Sequence, residues 1–376
     1  MVRALVLALA LALLPPGLAG AEEKAPVTVT DIAGREVAVR LPAERVLLGE
    51  ARLVYGLAPL YGRDLFEHVV GWPNDFRVND ATTYEAYRKA YPGLADVPEL
   101  GNLGQGSFSV EKALELRADV VFMPLQFLAQ AEQNGTLARF AAAGVPVLAV
   151  DFRERPLDNA APSVALMGRV TGRGERAQAV VDFFNREMGR VYRKVEAYKG
   201  PRPRVFLERA AGLLDCCATW GGESFGLLVD RAGGDNMGSR LLPGATGTIN
   251  PEQVLASRPE VVIVSGADWS RTNPANTAVP LGPGADPAKV QERLAGLMER
   301  PAYAQGLAAR GGRVHGVWHQ FYISPYNFVP FQLFAKWLHP ELFADLDPED
   351  TFRRFHQAFL QVPYEPGYWA TLAPRS

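Results

Sequence analysis

Apolar residues recur along residues 174–199 at steps that alternate between four and three. The apolar positions are Ala177, Val181, Phe184, Met188, Val191, Val195 and Tyr198. This spacing predicts one long amphipathic helix, with an apolar stripe on one side and charged residues on the other. Gly200, Pro201 and Pro203 would end it. About 25 residues at ~1.5 Å each make a rod of roughly 37 Å, about the width of a small domain.

On both sides of this rod, short apolar runs alternate with helical patterns, which is typical of α/β proteins with parallel sheets. The strand-like runs lie at residues 45–48, 68–72, 119–123, 146–150, 204–207, 261–264 and 313–318. A hairpin pattern at residues 27–39 opens the first half. We therefore predict two parallel-sheet lobes joined by one long backbone helix. The first lobe would cover residues 22–160, the connecting helices 161–200 and the second lobe 201–376. A coiled coil is the alternative for the rod, but its stripe lasts only about three heptads.

Two segments of the chain resemble each other. Residues 109–123 read SVEKALELRADVVFM, and residues 250–264 read NPEQVLASRPEVVIV. Aligned without gaps, they pair Ser109 with Asn250 and Arg117 with Arg258. Each segment predicts a capped helix followed by a buried strand, so each lobe would contain the same unit. A chance similarity of two short helix–strand units is the alternative.

The first 21 residues have the pattern of a secretory signal peptide. Arg3 precedes an apolar run at residues 4–14, two prolines follow, and small residues lead to Ala21. This pattern predicts cleavage after about Ala21, and the apolar run is too short for a stable membrane anchor. We therefore expect an exported, periplasmic protein that is soluble after cleavage.

Composition and motifs exclude several classes of function. The chain carries 39 basic and 41 acidic residues, a net charge of −2, which is no footprint for nucleic acid. It contains no G-x-S-x-G, no phosphate-binding G-x-x-x-x-G-K-[ST] and no H-E-x-x-H. We therefore expect neither an enzyme nor a nucleic-acid partner. No cluster of histidines and carboxylates has the spacing of a bare-metal site, so the metal ligands stay unassigned.

The two cysteines, Cys216 and Cys217, are adjacent. Three interpretations remain open: a vicinal disulfide in a turn facing the cleft, two buried thiols, and thiolate ligands to a soft metal. Adjacent Cα atoms lie closer than the usual disulfide range, which disfavours the bond. The oxidising compartment of an exported protein favours it.

Four segments together resemble the periplasmic binding proteins of the iron-chelate and cobalamin import family. They are TDIAGREVAV with PAERVLL, VEKALELRADVVFM, GGESFGLLVDRAGGDNM and NPEQVLASRPEVVIVSG. The resemblance covers residues 27–338. It implies two α/β lobes joined by a rigid helix, with a ligand held between them and delivered to an ABC permease of the inner membrane. It also implies no turnover, and we expect a monomer without a resident cofactor.

In such a fold the ligand should contact loops at the carboxyl ends of the strands. Aromatic rings there could cover a flat ligand, and arginines suit anionic chelates. The candidate ligand-binding residues are Trp72, Arg153, Arg209, Trp220, Trp269, His319, Tyr322 and Tyr326. His319 and Tyr322 could also bind ferric or haem iron, although a structural role is the alternative for His319.

The resemblance assigns a separate role to Glu111 and Glu252, one in each lobe. In the family, the glutamate at each of these positions pairs with arginines of the permease. Favourable placement in the first turn of a helix is the alternative reason for a carboxylate there.

We expect the ligand to be an iron chelate, with a ferric siderophore ranked above haem and haem above cobalamin. A ligand sensor is the other alternative. Residues 74–98 form a polar, aromatic insertion, and this insertion and the loop after Trp269 look least like a generic member.

Overall fold

The computed structural model describes residues 25–303, residue 306 and residues 313–373. The predicted signal peptide lies outside the described residues. So do residues 304, 305 and 307 of the segment 302–307, for which the sequence favours a helix. Among the described helices, none has the length and apolar character needed to cross a membrane.

The described strands run in chain order as β1 (Val27–Thr30), β2 (Glu36–Val39), β3 (Val46–Leu48), β4 (Val69–Gly71), β5 (Val120–Pro124), β6 (Val147–Val150), β7 (Arg204–Glu208), β8 (Ala218–Trp220), β9 (Asp235–Asn236), β10 (Thr246–Thr248), β11 (Val261–Gly266), β12 (Val314–Trp318) and β13 (Trp369–Thr371).

The described α-helices are α1 (Val54–Tyr61), α2 (Leu65–His68), α3 (Asp75–Asn79), α4 (Ala81–Ala90), α5 (Val110–Glu115), α6 (Leu125–Gln133), α7 (Thr136–Ala142), α8 (Pro156–Val170), α9 (Gly174–Ala197), α10 (Ser224–Arg231), α11 (Met237–Leu241), α12 (Pro251–Ser257), α13 (Pro287–Met298), α14 (Phe328–Leu338) and α15 (Pro348–Phe359). Short 3-10 helices lie at Ala51–Leu53, Gly62–Asp64, Pro92–Asp96 and His319–Ile323.

Two sheets confirm the predicted α/β fold. The first-lobe sheet has the order β4-β3-β5-β6, and all of its pairs are parallel. The second-lobe sheet has the order β10-β8-β7-β11-β12-β13, with β9 beside β7. Its centre, β7-β11-β12, is parallel as predicted, whereas β8, β10 and β13 are antiparallel. The edge strands add antiparallel pairs to this parallel centre; β8, for example, returns from β7 through a short loop, which only an antiparallel pair allows.

The two similar segments fold alike. Ser109 caps α5 by accepting a bond from the Lys112 amide, and Asn250 caps α12 in the same way. Each helix is followed by a residue with left-handed φ, 48° at Arg117 and 49° at Arg258. The chain then enters a buried strand, β5 after Arg117 and β11 after Arg258. The predicted repeat is therefore confirmed in backbone conformation as well as in sequence.

Each repeated unit is also contacted by one arginine at the start of a neighbouring strand, Arg45 before β3 and Arg204 in β7. The Arg45 guanidinium donates to the Arg117 carbonyl, and the Arg204 guanidinium donates to the Arg258 carbonyl. The backbone N–H of Arg45 donates to Asp119, and that of Arg204 donates to Glu260. Both lobes therefore contain the same arrangement of capped helix, buried strand and arginine.

The helix α9 confirms the predicted rod. It has 24 residues, and its buried face includes Ala177, Val180, Phe184, Met188 and Val191. This face packs against α8 and α1 of the first half and against α14 and α15 of the second. One helix therefore runs along both lobes, as the apolar stripe requires.

The insertion at residues 74–98 is folded rather than irregular. It contains α3, α4 and a 3-10 helix, and its aromatic rings pack edge to face. Tyr55 of α1 extends this packing to Trp318 and Tyr326 of the second lobe, at centroid distances of 5.8 and 5.9 Å.

Candidate functional site

A chain of buried polar groups lies where the strands of the two lobes end. Glu50, just after β3, accepts hydrogen bonds from Arg52 and from Arg153, whose Nη2 lies 3.0 and 3.2 Å from the two carboxylate oxygens. Arg52 also donates through Nε to Asp75 at 2.8 Å. Its Nη1 donates to Gln320 of the second lobe at 2.9 Å. Arg52 therefore connects the two lobes directly.

The two buried carboxylates differ in their electrostatics. Burial opposes ionisation of Glu50, but the charges of Arg153 and Arg52 outweigh it and hold the pKa of Glu50 below its usual value. Burial raises the pKa of Asp75 despite the opposing charge of Arg52. Glu50 thus pairs with Arg153 and Arg52, and Asp75 pairs with Arg52.

Aromatic rings of the second lobe surround His319. The imidazole lies 4.5 Å from the Tyr322 ring, 5.1 Å from the Trp269 ring and 5.6 Å from the Trp220 ring, centroid to centroid. Trp220 and Trp269 are almost fully buried, whereas Tyr322 is half-buried. The sequence placed these four residues in the site, and the structure brings them together.

His319 is held as a neutral imidazole. Burial, followed by the charges of Arg52, Arg209 and Arg153, lowers the pKa of His319 well below its usual value. Its Nδ1 lies 2.9 Å from the Ser265 hydroxyl at the end of β11. A neutral histidine with one nitrogen engaged is the form that can offer the other to a ligand.

Two arginines near these rings have N–H groups without acceptors. Arg209 follows β7, and its buried Nε has no hydrogen-bond partner among the described residues; the same holds for Nε of Arg153. The Arg153 guanidinium also lies over the Tyr322 ring at 4.8 Å. Burial, assisted by the charge of Arg153, lowers the pKa of Arg209. An unpaired buried donor is costly, so an anion bound between these arginines would be favoured.

The structure places Trp72 and Tyr326 away from this cluster. Trp72 does follow a strand, but its ring is 2% exposed and packs on Phe66 and Phe76 in the first lobe. The hydroxyl of Tyr326 donates to the Tyr55 carbonyl, and its ring packs in the interior. A ligand could reach either ring only by displacing packed neighbours.

The list of candidate ligand-binding residues lacked five polar residues of the cluster. They are Glu50, Arg52, Asp75, Ser265 and Gln320. Glu50 and Ser265 lie at the carboxyl ends of predicted strands, so the rule that selected the other candidates could also have found them. Gln320 also follows a predicted strand, but its bond to Arg52, 268 positions away, has no local signal in the sequence.

Cys216 and Cys217 form a disulfide bond, the pairing that the first of the three interpretations requires. The bond lies in the loop between β7 and β8 that also carries Arg209. Cys217 is fully buried and Cys216 is half-buried. Within the described residues, no group of three or more histidine, cysteine, aspartate or glutamate side chains could hold a metal ion.

Glu111 and Glu252 both lie in the first turn of an exposed helix, one per lobe. The carboxylate of Glu111 pairs with Arg139 of α7. Its own backbone N–H and Arg139 lower the pKa of Glu111. Both glutamates are therefore placed on the surface, as a docking role would require.

Two lobes, one helix along both, and a buried polar cluster where their strands end define a two-lobed solute-binding protein. The family described as periplasmic binding protein matches residues 74–317, and the chain belongs to this family. Binding proteins of this family are non-enzymatic solute carriers that deliver their ligands to ABC permeases. A comparison with curated proteins found no match.

Solved structures agree with this assignment. The chain is similar to the TroA-like periplasmic binding protein FepB of Veillonella parvula, with 27% identity and a TM-score of 0.85 over 93% of this chain and 100% of that one. It shares its fold with MolA of Haemophilus influenzae, solved with bound molybdate, at 17% identity and a TM-score of 0.66 over 90% and 99% of the two chains. It also shares its fold with the heme-binding protein RhuT of Roseiflexus sp. RS-1, at 19% identity and a TM-score of 0.57 over 80% and 99%.

Proposed function

We propose that this protein captures an anionic iron chelate, foremost a ferric siderophore, in the periplasm and delivers it to an ABC permease. The observation that supports this proposal most is the set of three arginines beside the His319 cluster, two of which have a buried Nε without an acceptor in the described part of the chain. A chelate that presents oxyanions to Arg153 and Arg209 would satisfy both donors.

Trp220, Trp269 and Tyr322 support the same ligand class. The half-buried Tyr322 ring provides apolar surface beside Arg153, while Trp220 and Trp269, which are almost fully buried, pack around His319. Such a surface suits a chelate with flat or greasy arms around a charged centre. Because one helix, α9, packs along both lobes, the lobes would close by a small hinge movement and leave the cargo chemically unchanged.

Haem is the second candidate. His319 is neutral with its Nδ1 engaged, and Tyr322 lies beside it, so imidazole or phenol could bind a haem iron. The arginines would then hold the propionates. Cobalamin import and ligand sensing are the remaining alternatives.

The native cargo can be identified by native mass spectrometry and an absorbance spectrum of protein purified from its own host. A bound mass that contains iron, with a broad charge-transfer band, is the expected result. A Soret band would indicate haem in its place. Protein that consistently carries a metal-free or cobalt-containing molecule would contradict an iron chelate.

The role of the arginines can be tested with Arg209→Gln, using Arg193→Gln on the exposed face of α9 as a control with the same change in charge. Quenching of tryptophan fluorescence by the recovered cargo would report affinity. Loss of one charge-assisted bond of about 1.5–3 kcal/mol weakens binding roughly 10- to 100-fold. Equal affinities for the two variants would refute an arginine-bound anion.

A further inference from the structure

The insertion and the loop that follows β11 lie against each other across the lobes. Thr82 of α4 lies within hydrogen-bonding distance of Asp268, at 3.4 Å. The Arg271 guanidinium donates to Glu85 at 2.7 Å. The contact therefore joins the first lobe to the second at a place separate from the arginine cluster.

The last turn of α3 is the centre of this contact. The Arg77 carbonyl accepts from Arg271 at 3.3 Å, and the Val78 carbonyl accepts from the Thr272 hydroxyl at 3.1 Å. The Asn79 carbonyl accepts from Gln320 Nε2 at 2.8 Å. Carbonyls in the last turn of a helix lack intrahelical partners and carry the negative end of its dipole, so donors from outside stabilise it.

We propose that these contacts form an interlobe clasp: second-lobe donors Arg271, Thr272 and Gln320 cap helix α3 of the first lobe and hold the two lobes closed. Opening the lobes would leave three consecutive carbonyls of α3 without these donors. The clasp therefore gives the closed form a stabilisation that does not depend on cargo, and its strength sets how often the site opens.

Gln320 connects the clasp to the candidate site. Its amide nitrogen caps α3, while its amide oxygen accepts from Arg52, which shares Glu50 with Arg153. The residue is fully buried. An opening that separates Gln320 from Asn79 would therefore also remove a partner of Arg52 beside the site.

Glu85 offers a matched pair of variants. It binds Arg271 across the lobes and Arg88 within α4, with both contacts at 2.7 Å. Arg271→Ala removes the ion pair with Glu85 and the hydrogen bond to the Arg77 carbonyl, whereas Arg88→Ala removes an ion pair of the same kind inside the first lobe. Thr272→Val removes one hydroxyl with little change in shape, which provides a second variant that should fold normally.

Amide hydrogen exchange of the full-length mature protein without added cargo would test the clasp. Arg271→Ala with Thr272→Val should raise exchange about tenfold in residues 75–82 and also at the strand ends around Glu50 and Ser265. Arg88→Ala should leave both regions unchanged. Exchange that rises only in residues 75–82 would show a local helix cap and overturn the clasp, as would equal exchange in Arg88→Ala and the double variant.

Discussion

Single buried polar groups carry much of the chemistry of this protein, and Asp80 makes its stability depend on pH. It lies at the junction of α3 and α4, almost fully buried, and accepts a hydrogen bond from the Tyr55 hydroxyl. Burial raises the pKa of Asp80 to about 7, although bonds from Tyr55 and Thr83 oppose this. The folded protein therefore holds a proton here that the unfolded chain releases near pH 4.

This shift predicts how stability depends on pH. The stabilisation that protonated Asp80 contributes is fully present below the pKa that this carboxyl group has in the unfolded chain. It is lost as the pH rises to about 7. Asp80→Asn does not titrate, so the free energy of unfolding of the natural protein should fall relative to that variant by about 2 kcal/mol between pH 5 and 8. Urea unfolding at both values measures it. Asp345→Asn removes an exposed acid whose pKa is lowered and leaves Asp80 in place. The difference in unfolding free energy between the natural protein and this variant should therefore stay constant from pH 5 to 8.

For single residues, the sequence predicted which residues follow a strand better than it predicted the direction of their side chains. Arg209 and Trp72 both follow strands, as predicted, yet the Trp72 ring packs into the first lobe while Arg209 lies beside the His319 cluster. The direction of a side chain depends on packing partners far away in the chain. The spacing of residues along the chain could not show that Phe66 and Phe76 pack against Trp72.

At the scale of elements, the helix–strand repeat and the rod were predictable because both rest on local signals. Caps, apolar periodicity and glycine or proline stops act within a few residues. The helices of the insertion were not predicted, since α3 has only five residues and is stabilised by bonds from the second lobe. The antiparallel edges of the second sheet likewise depend on long-range pairing.

The repeat leads to a prediction about Arg117 and Arg258. Both have a left-handed φ, which costs an ordinary residue about 1 kcal/mol that glycine does not pay. Arg117→Gly and Arg258→Gly should therefore leave the free energy of unfolding unchanged or raise it by up to about 1 kcal/mol.

Arg193→Gly is the matched control, because the same replacement inside helix α9 should cost about 1 kcal/mol. Urea denaturation of the three variants measures all three effects. A loss at Arg117 or Arg258 as large as at Arg193 would contradict this account.

At the scale of the whole molecule, the two lobes share a helix, an aromatic contact and a chain of buried polar bonds. Tyr55 meets Trp318 and Tyr326, and Arg52 meets Gln320. The rod and the two-lobed plan followed from the sequence. These interlobe contacts did not, because each joins residues more than 200 positions apart, and no local pattern encodes them.

The two surface glutamates give a prediction about delivery. Glu111→Lys with Glu252→Lys should abolish uptake of the cargo in cells while leaving its affinity for the purified protein unchanged, because the pair lies on exposed helices in the two lobes. Glu175→Lys with Glu196→Lys, on the exposed face of α9, makes the same change in net charge. Transport of radiolabelled iron would compare the two. Normal uptake by the first variant would exclude a docking role.

The strand β13 has one more implication. It pairs with β12 through His315, Gly316 and Val317, and it supplies the outermost strand of the second sheet after an excursion of about fifty residues through α14 and α15. Until that last strand arrives, β12 presents a row of unpaired amides, the kind of border on which chains associate. A nascent or clipped molecule that lacks this final segment would thus be prone to join its neighbours rather than remain a single carrier.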